Sequence, residues 1–450
     1  MAMSTALNSA TAVVMTDYGI PASTARSVYE AKTRLAAARL RRTELRQAHT
    51  IAPGFNLVYK CELDFWTGSF KERGALNFLL QLSPEEKKRG VIAASAGNHA
   101  LALAYHGNRL GIPVSVVMPL IAPMTKVNRC VKYKANVISF GADISVARQH
   151  ALTLVGDATR PEYKQVYVNG FDDPRIVDGA GTCGLEIIED APDVDAIVVP
   201  IGGGGLVAGI CLAVKHRHPA IKIIGVESDA CPSFAEALKA GKPVPVKTKA
   251  TLADGLKVPQ VGAHSFAVCR DLLDAVIVIE EKFVALGIVK LLETEKMVVE
   301  GAGAIGVGAV LSGKLDTLKG LKTAIVVCGG NIDITMLGRV IERGLALEGR
   351  SIRFTATISD LPGGLAAFTT CIASTGASVK DIMQERPYIQ SALITTVRVQ
   401  CETANAAMTA TLLSELKKRG YRPRVSTEEA DDAEEPPRID IRLPKMDSKL

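Results

Sequence analysis

The chain has 450 residues, of which 48% are hydrophobic, 22% charged and only 5% aromatic. At about 150 residues per domain this allows roughly three domains, or one large domain with an appendix, and it excludes a mostly disordered chain. The 53 basic and 47 acidic residues are spread along the sequence, so the net charge of +6 forms no basic stripe of the kind that binds nucleic acid.

Residues 1–49 read as an N-terminal arm, with a basic helical stretch from Ala22 to Gln47. The first 25 residues hold no Lys or Arg, which argues against a secretory or mitochondrial leader. From there strand-like and helix-like pieces alternate. The expected strands are Asn56–Cys61, Val91–Ala94, Val114–Met118, Asn136–Phe140, Gln165–Val168, Ala196–Pro200, Ile221–Glu227, Ala275–Ile279 and Thr323–Cys328. They are short, rich in Val and Ile, and lack polar alternation, as strands buried on both faces do. Helical segments such as Lys71–Leu82, Asn98–Leu110 and Leu206–Lys215 lie between them. This repetition predicts parallel βαβ units, over residues 50–345, with a smaller lobe at about 91–180.

The pattern changes at Ser351. A strand (Ser351–Ser359), a turn (Asp360–Gly364), a helix (Leu365–Thr375), a long strand (Ser391–Glu402), a helix (Ala406–Arg419) and a last strand (Tyr421–Val425) are read as parts of one βαββαβ unit over 346–425. Residues 426–450 are acidic and contain proline, which predicts a mobile tail. Nine cysteines are scattered with no CxxC pair, as in an intracellular protein with reduced thiols. No apolar run reaches the ~18 residues a membrane span needs.

Four motifs carry chemistry. In Thr67-Gly68-Ser69-Phe70-Lys71-Glu72-Arg73-Gly74-Ala75 a lysine opens a helix behind a turn of small residues. The helix N-terminus disfavours an ammonium and so favours a nucleophilic amine, although an ordinary surface lysine also fits there. Ser95-Ala96-Gly97-Asn98-His99-Ala100 follows a strand and opens a helix. It is either a carboxylate-binding nest or a plain turn capped by Asn98. Gly202-Gly203-Gly204-Gly205 lies between a strand and the helix at Leu206. Four glycines cost conformational entropy, and they make sense where backbone N–H groups must close on a phosphate. Cys328-Gly329-Gly330-Asn331 ends a strand, where Cys328 is reactive or simply core. Glu300 precedes Gly301-Ala302-Gly303-Ala304, as a capping charge or as a cofactor contact.

Taken in order, TGSFKERGA, SAGNHA, FDDP (Phe171–Pro174), GTCGLE, GGGGL, ADGL (Ala253–Leu256), EGAGA and CGGNID resemble the serine/threonine dehydratase family of fold-type II pyridoxal-phosphate enzymes. The resemblance runs from about residue 57 to 335. It implies an α/β fold with two lobes of parallel sheet, like the tryptophan synthase β subunit. Lys71 would then hold pyridoxal 5′-phosphate as a Schiff base beside Phe70. Gly202 to Gly205 and Leu206 would cradle the phosphate, Asn98 would bond the ring 3′-oxygen, Cys328 would face the pyridine nitrogen, and Glu300 would lie near the cofactor. Ser95, Gly97, Asn98 and His99 would meet the substrate carboxylate. A neutral thiol at the pyridine nitrogen suits β-elimination. Lys71 would remove the Cα proton, the β-hydroxyl would leave with help from the cofactor phosphate, and ammonia would be lost in water. Threonine would give 2-oxobutanoate and serine would give pyruvate.

The alternatives inside the family are a serine-preferring dehydratase and a serine racemase. The related racemases carry a second acid/base serine where this chain has Ala96, and bind a divalent cation where this chain has Glu227 but Ser233, so racemisation and a metal site are not expected. Asp64-Phe65-Trp66 and Gly179-Ala180-Gly181-Thr182 also depart from the family pattern. An alternative of another class is a silent amino-acid sensor, against which Lys71 and the glycine run stand. The βαββαβ unit, with SDLPGGL (Ser359–Leu365) and GASVKDI (Gly376–Ile382), resembles an ACT domain. It would bind an amino-acid effector through Asp360, Gly363, Gly364 and Leu365, or serve only for dimerisation. The family implies a homodimer or homotetramer. The terminal Ser448-Lys449-Leu450 matches a peroxisomal address; otherwise a cytoplasmic location is expected.

Overall fold

The computed structural model describes residues 23–49, 51–156, 164–385 and 392–426. The acidic tail beyond 426, the terminal tripeptide and residues 1–22 of the arm lie outside the described residues. The chain divides into two compact units, Met1–Val340 and Ile341–Leu450.

Among its described residues the first unit holds ten strands. They are β1 (Leu45–Gln47), β2 (Asn56–Cys61), β3 (Val91–Ala94), β4 (Val114–Met118), β5 (Asn136–Ser139), β6 (Val166–Tyr167), β7 (Ala196–Pro200), β8 (Lys222–Ser228), β9 (Ala275–Ile279) and β10 (Lys322–Val327). The larger sheet runs β1-β2-β10-β7-β8-β9 and the smaller β5-β4-β3-β6. All pairings are parallel except that of β1 with β2. Every residue of β4 and β7 is buried, as expected where helices cover both faces. The chain lays down β2, leaves to build the smaller sheet, and returns to complete the larger one. The turns after β3, β7 and β10 therefore all lie at carboxyl ends of parallel strands, where open α/β sheets place their sites.

The expected helical stretch Ala22–Gln47 needs correction. The helix spans Ala25–Ala37, opened by a reciprocal Thr24–Ser27 capping box, and Leu45–Gln47 is instead the antiparallel edge strand. Val28, Ala31 and Leu35 sit at i, i+3 and i+7 on its buried face. That face packs on the long helix Pro174–Asp190. The charged loop Arg41–Arg46 reads locally as helix, but its edge finds hydrogen-bond partners on β2. The helix Lys71–Leu80 contributes Ala75, Phe78 and Leu79 to the smaller lobe's core, together with Val91, Leu101, Val116 and Met118.

The second unit is a βαββαβ arrangement as expected, with a strand at Ser378–Glu385 beyond the elements read from the sequence. Its strands are β11 (Ser351–Ser359), β12 (Ser378–Glu385), β13 (Ile394–Glu402) and β14 (Arg424–Val425). They pair antiparallel in the order β12-β13-β11-β14. Burial alternates along β11 and β13, so one face is apolar and one is not. Phe354, Ile358, Phe368, Ile372, Val397, Val399, Leu412 and Leu416 form the core between the sheet and its two helices. Gly363 precedes the helix Gly364–Ala373 in the left-handed region (φ 88°), and Gln384 donates to Asp360 at 3.4 Å.

Candidate active site

Lys71 is the first residue of its helix, as read from the sequence. Its Nζ donates to the Gly170 carbonyl at 2.7 Å and lies 4.8 Å from the Phe70 ring centroid. The amine pKa falls to about 8. Burial is the largest cause, partly opposed by Cys328 and Glu300. The turn before Lys71 is joined to the turn after β10: Phe70 N–H donates to the Cys328 carbonyl (3.0 Å), and Gly330 N–H donates to that of Gly68 (2.9 Å). Cys328 is buried, and burial holds its thiol well above the usual range, hence neutral.

Gly170 leads into Phe171, and Phe171 explains the glycine loop after β7. A Cβ on Gly203 would overlap the Phe171 ring, one on Gly205 would overlap the Phe171 carbonyl, and one on Gly202 would sit 3.0 Å from Leu256 Cα. Gly204 holds φ 95° as the residue before the helix Gly205–Lys215, and no side chain caps that helix. The loop thus closes tightly on its protein side and leaves the N–H groups of a helix start without a side-chain cap. Phe171 is itself held through its carbonyl, which accepts from Ser265 Oγ at 2.8 Å.

Asn98 opens the helix Asn98–Leu110, whose start also lacks a side-chain cap. Its Nδ2 donates to Glu300 Oε1 at 2.7 Å, and its Oδ1 accepts from Asn331 Nδ2 at 2.8 Å. Glu300 is pushed up to about 7 by burial and by Asp254, against Lys126 and the Asn98 amide. Its carboxylate fits because position 329 is glycine: a Cβ there would overlap Glu300 Oε1. Ser95 Oγ accepts from the Gly97 N–H at 3.2 Å. His99 packs against Gly170 with its ring buried and with no strong hydrogen bond to either ring nitrogen, only a weak one to the Val168 backbone. Burial and Lys71 lower its pKa to about 3, so it is neutral. Lys71, Phe70, Asn98, Glu300 and Cys328 are therefore gathered directly, and the glycine loop joins them through Gly170–Phe171. Asp360 and Gly363 to Leu365 belong to the second unit.

Reading the sequence missed three supports. Arg73, two residues past Lys71, is fully buried in an ion network. Its guanidinium donates to Glu62 (2.7 Å to each oxygen), to Glu186 (2.8 and 2.7 Å) and to Thr182 (3.1 Å). Lys60, also buried, donates to Glu186 at 2.7 Å and to the Thr43 carbonyl at 2.8 Å. Arg129 and Asn331 are the others. Asn331 Nδ2 donates to the Thr67 carbonyl at 2.6 Å, and its Oδ1 accepts from Arg129 Nη1 at 2.7 Å. Arg73 and Asn331 stood inside quoted motifs; Arg129 carried no local signal. Gly179 and Gly181 serve packing, because a Cβ on either would meet backbone of Arg73 or Gly209. Glu227 is taken up by accepting the N–H groups of Phe234 (2.8 Å) and Ala235 (2.9 Å).

Three relatives place this geometry. The L-threonine ammonia-lyase of Geobacter sulfurreducens is 41% identical over 386 residues, which is 85% of this chain and 94% of that protein. The structure of maize serine racemase superposes with a TM-score of 0.67 at 33% identity, covering 72% of this chain and 99% of that one. The processed form of threonine deaminase isoform 2 from Solanum lycopersicum superposes with a TM-score of 0.66 at 31% identity, over 71% and 93%. A family model described as pyridoxal-phosphate dependent enzyme matches residues 37–329, and the chain belongs to that family.

Proposed function

We propose that the chain deaminates L-threonine to 2-oxobutanoate and ammonia, and L-serine to pyruvate, with pyridoxal phosphate held at Lys71. The observation that carries this is the desolvated Lys71 amine, set beside the ends of β3 and β10 and tied through Gly170–Phe171 to the uncapped glycine loop after β7. These residues fit the cofactor. Gly202 to Gly205 and the helix start at Leu206 offer N–H groups to a phosphate. Asn98 offers an N–H to the ring oxygen, and Cys328 a neutral thiol to the ring nitrogen. When bound, pyridoxal phosphate supplies an electron sink for negative charge at the amino acid's Cα.

The side chains divide the remaining work. A pKa near 8 leaves about one Lys71 amine in ten neutral at pH 7, against about one in three thousand at 10.5, so Lys71 can take the Cα proton. The start of the helix Asn98–Leu110, with Ser95 holding the Gly97 N–H, receives the substrate carboxylate. Neutral His99 adds bulk beside the lysine without adding charge. Ala96 puts a methyl group where a racemase needs a second acid/base, so D-serine is a minor product despite the likeness to maize serine racemase. The second unit is read as an ACT domain that binds an amino acid through Asp360 and Gly363 to Leu365, in a homodimer or homotetramer. The stretch matched in the Geobacter relative is longer than the first unit, which supports counting both units as one kind of enzyme.

The test is a steady-state assay of 2-oxobutanoate, pyruvate and D-serine, with and without isoleucine and valine. Dominant D-serine would overturn the reading of Ala96. A purified protein that takes up no pyridoxal phosphate would overturn the enzyme.

A further inference from the structure

We propose that Arg129 and Asn331 are positioning residues that decide which way round the Asn98 amide is held. The two ends of a hydrogen-bonded chain fix its direction. Arg129 has only donors, so the Asn331 atom facing its Nη1 must be the oxygen. Asn331 Nδ2 then points the other way, where it meets two acceptors, the Thr67 carbonyl and Asn98 Oδ1. Asn98 Nδ2 is left facing Glu300, which accepts. With Asn98 reversed, its nitrogen would face the Asn331 nitrogen and its oxygen would face a carboxylate. Neither contact can be a hydrogen bond while Glu300 is ionised. The direction set by a cation on the helix Met124–Lys132 is thus handed through two amides to the carboxylate beside Lys71.

The rest of the surroundings reinforce this arrangement. Asn331 lies against the turn of Gly68, where an added Cβ would sit 2.6 Å from its Oδ1, so the amide has little room to turn. The charged and titratable groups that act on Glu300 are Asp254, which opposes its ionisation, and Lys126, which favours it; Lys71 and Cys328 are coupled to it from the other side. The consequence for the cofactor rests on the reading above. Asn98 Nδ2 has a second hydrogen, and only in this orientation can it be offered to an anionic ring oxygen.

The experiment uses full-length protein, with and without pyridoxal phosphate. Asn331→Asp keeps an acceptor for Arg129 and removes both donors. Asn98 then turns to donate to residue 331 and shows its oxygen to Glu300, which must hold a proton to satisfy it. A carboxyl whose folded pKa rises further above its unfolded value of about 4.3 costs stability as pH rises. The melting deficit of the variant without cofactor is therefore expected to grow between pH 6 and 8.5. Adding Glu300→Gln should abolish that growth, because an amide donates at any pH. A deficit that is flat with pH, or that still grows with Gln at 300, overturns the proposal. Pyridoxal phosphate should dissociate about tenfold more readily from Asn331→Asp, the size expected for one hydrogen bond to a charged group. A pH-dependent deficit with unchanged cofactor affinity would uphold the amide direction and sink the reading of Asn98 as a cofactor contact. Should Asn331→Asp fail to fold, Arg129→Met and Arg129→Lys replace it. Only the lysine keeps a donor and should restore cofactor affinity, and equal losses in both overturn the proposal.

Discussion

The two units of this chain bury different things. The first encloses Lys60, Glu62, Glu72, Arg73, Glu186, Glu227 and Glu300, whereas Thr395 is the one polar residue buried among the described residues of the second. Their glycine turns differ in the same way. Gly203 is glycine because the Phe171 ring occupies the space a Cβ would need. Gly363 has nothing within 4 Å of that space and is glycine because its φ is 88°. A reactive lysine needs a dry, crowded surrounding, and such a surrounding can hold charges only in mutually bonded sets. The second unit needs only an apolar face and a turn, so nothing forces charge inside it.

That contrast can be tested by substitution, beginning where the effect is greatest. Lys71→Ala should lower threonine deamination by roughly 10²–10⁴-fold, the range for loss of a positioned general base, with unchanged far-UV circular dichroism. Retained activity would move the chemistry elsewhere. Arg73→Met should cost about 3–5 kcal/mol in urea unfolding, because Glu62 and Glu186 are left without their cation. A loss under about 1 kcal/mol would mean that the network is replaceable. Gly203→Ala should cost about 1–3 kcal/mol by forcing Phe171 aside, and should weaken pyridoxal phosphate binding in a titration. Gly363→Ala should cost only about 1 kcal/mol of the second unit's stability, the strain of a left-handed alanine. Equal costs at Gly203 and Gly363 would remove the distinction between crowded and open turns.

What could be read from the sequence follows from how local each signal is. Strands such as β4 and β7 announce themselves because they are short and almost wholly apolar, and the glycine run after β7 because four contiguous glycines cost conformational entropy that an ordinary turn does not need. Lys71 was legible through its position at a helix start, although burial dominates its pKa. The edge strand Leu45–Gln47 was not, since its partner Lys60–Val58 lies on β2 and nothing in Arg41–Gln47 records it. Arg129 was equally silent, because it meets Asn331 across 202 positions. His99 is expected from its motif to meet the substrate carboxylate; that its neutral ring packs against Gly170 is something only the folded chain supplies.

The ion network beneath Lys71 also has a meaning for synthesis. Lys60 and Glu186 are 126 positions apart. A ribosome adding about 5–20 residues per second delivers the carboxylate roughly 6–25 seconds after the lysine. Arg73 can find Glu62 early, 11 positions away, but neither it nor Lys60 can be taken out of water fully bonded until Glu186 has emerged. The nascent chain must therefore keep β2 and the lysine-bearing helix hydrated, or shielded by a chaperone, through the making of the whole smaller lobe. The surroundings of the Lys71 amine are complete only after the segment that closes the charges of Lys60 and Arg73 has arrived.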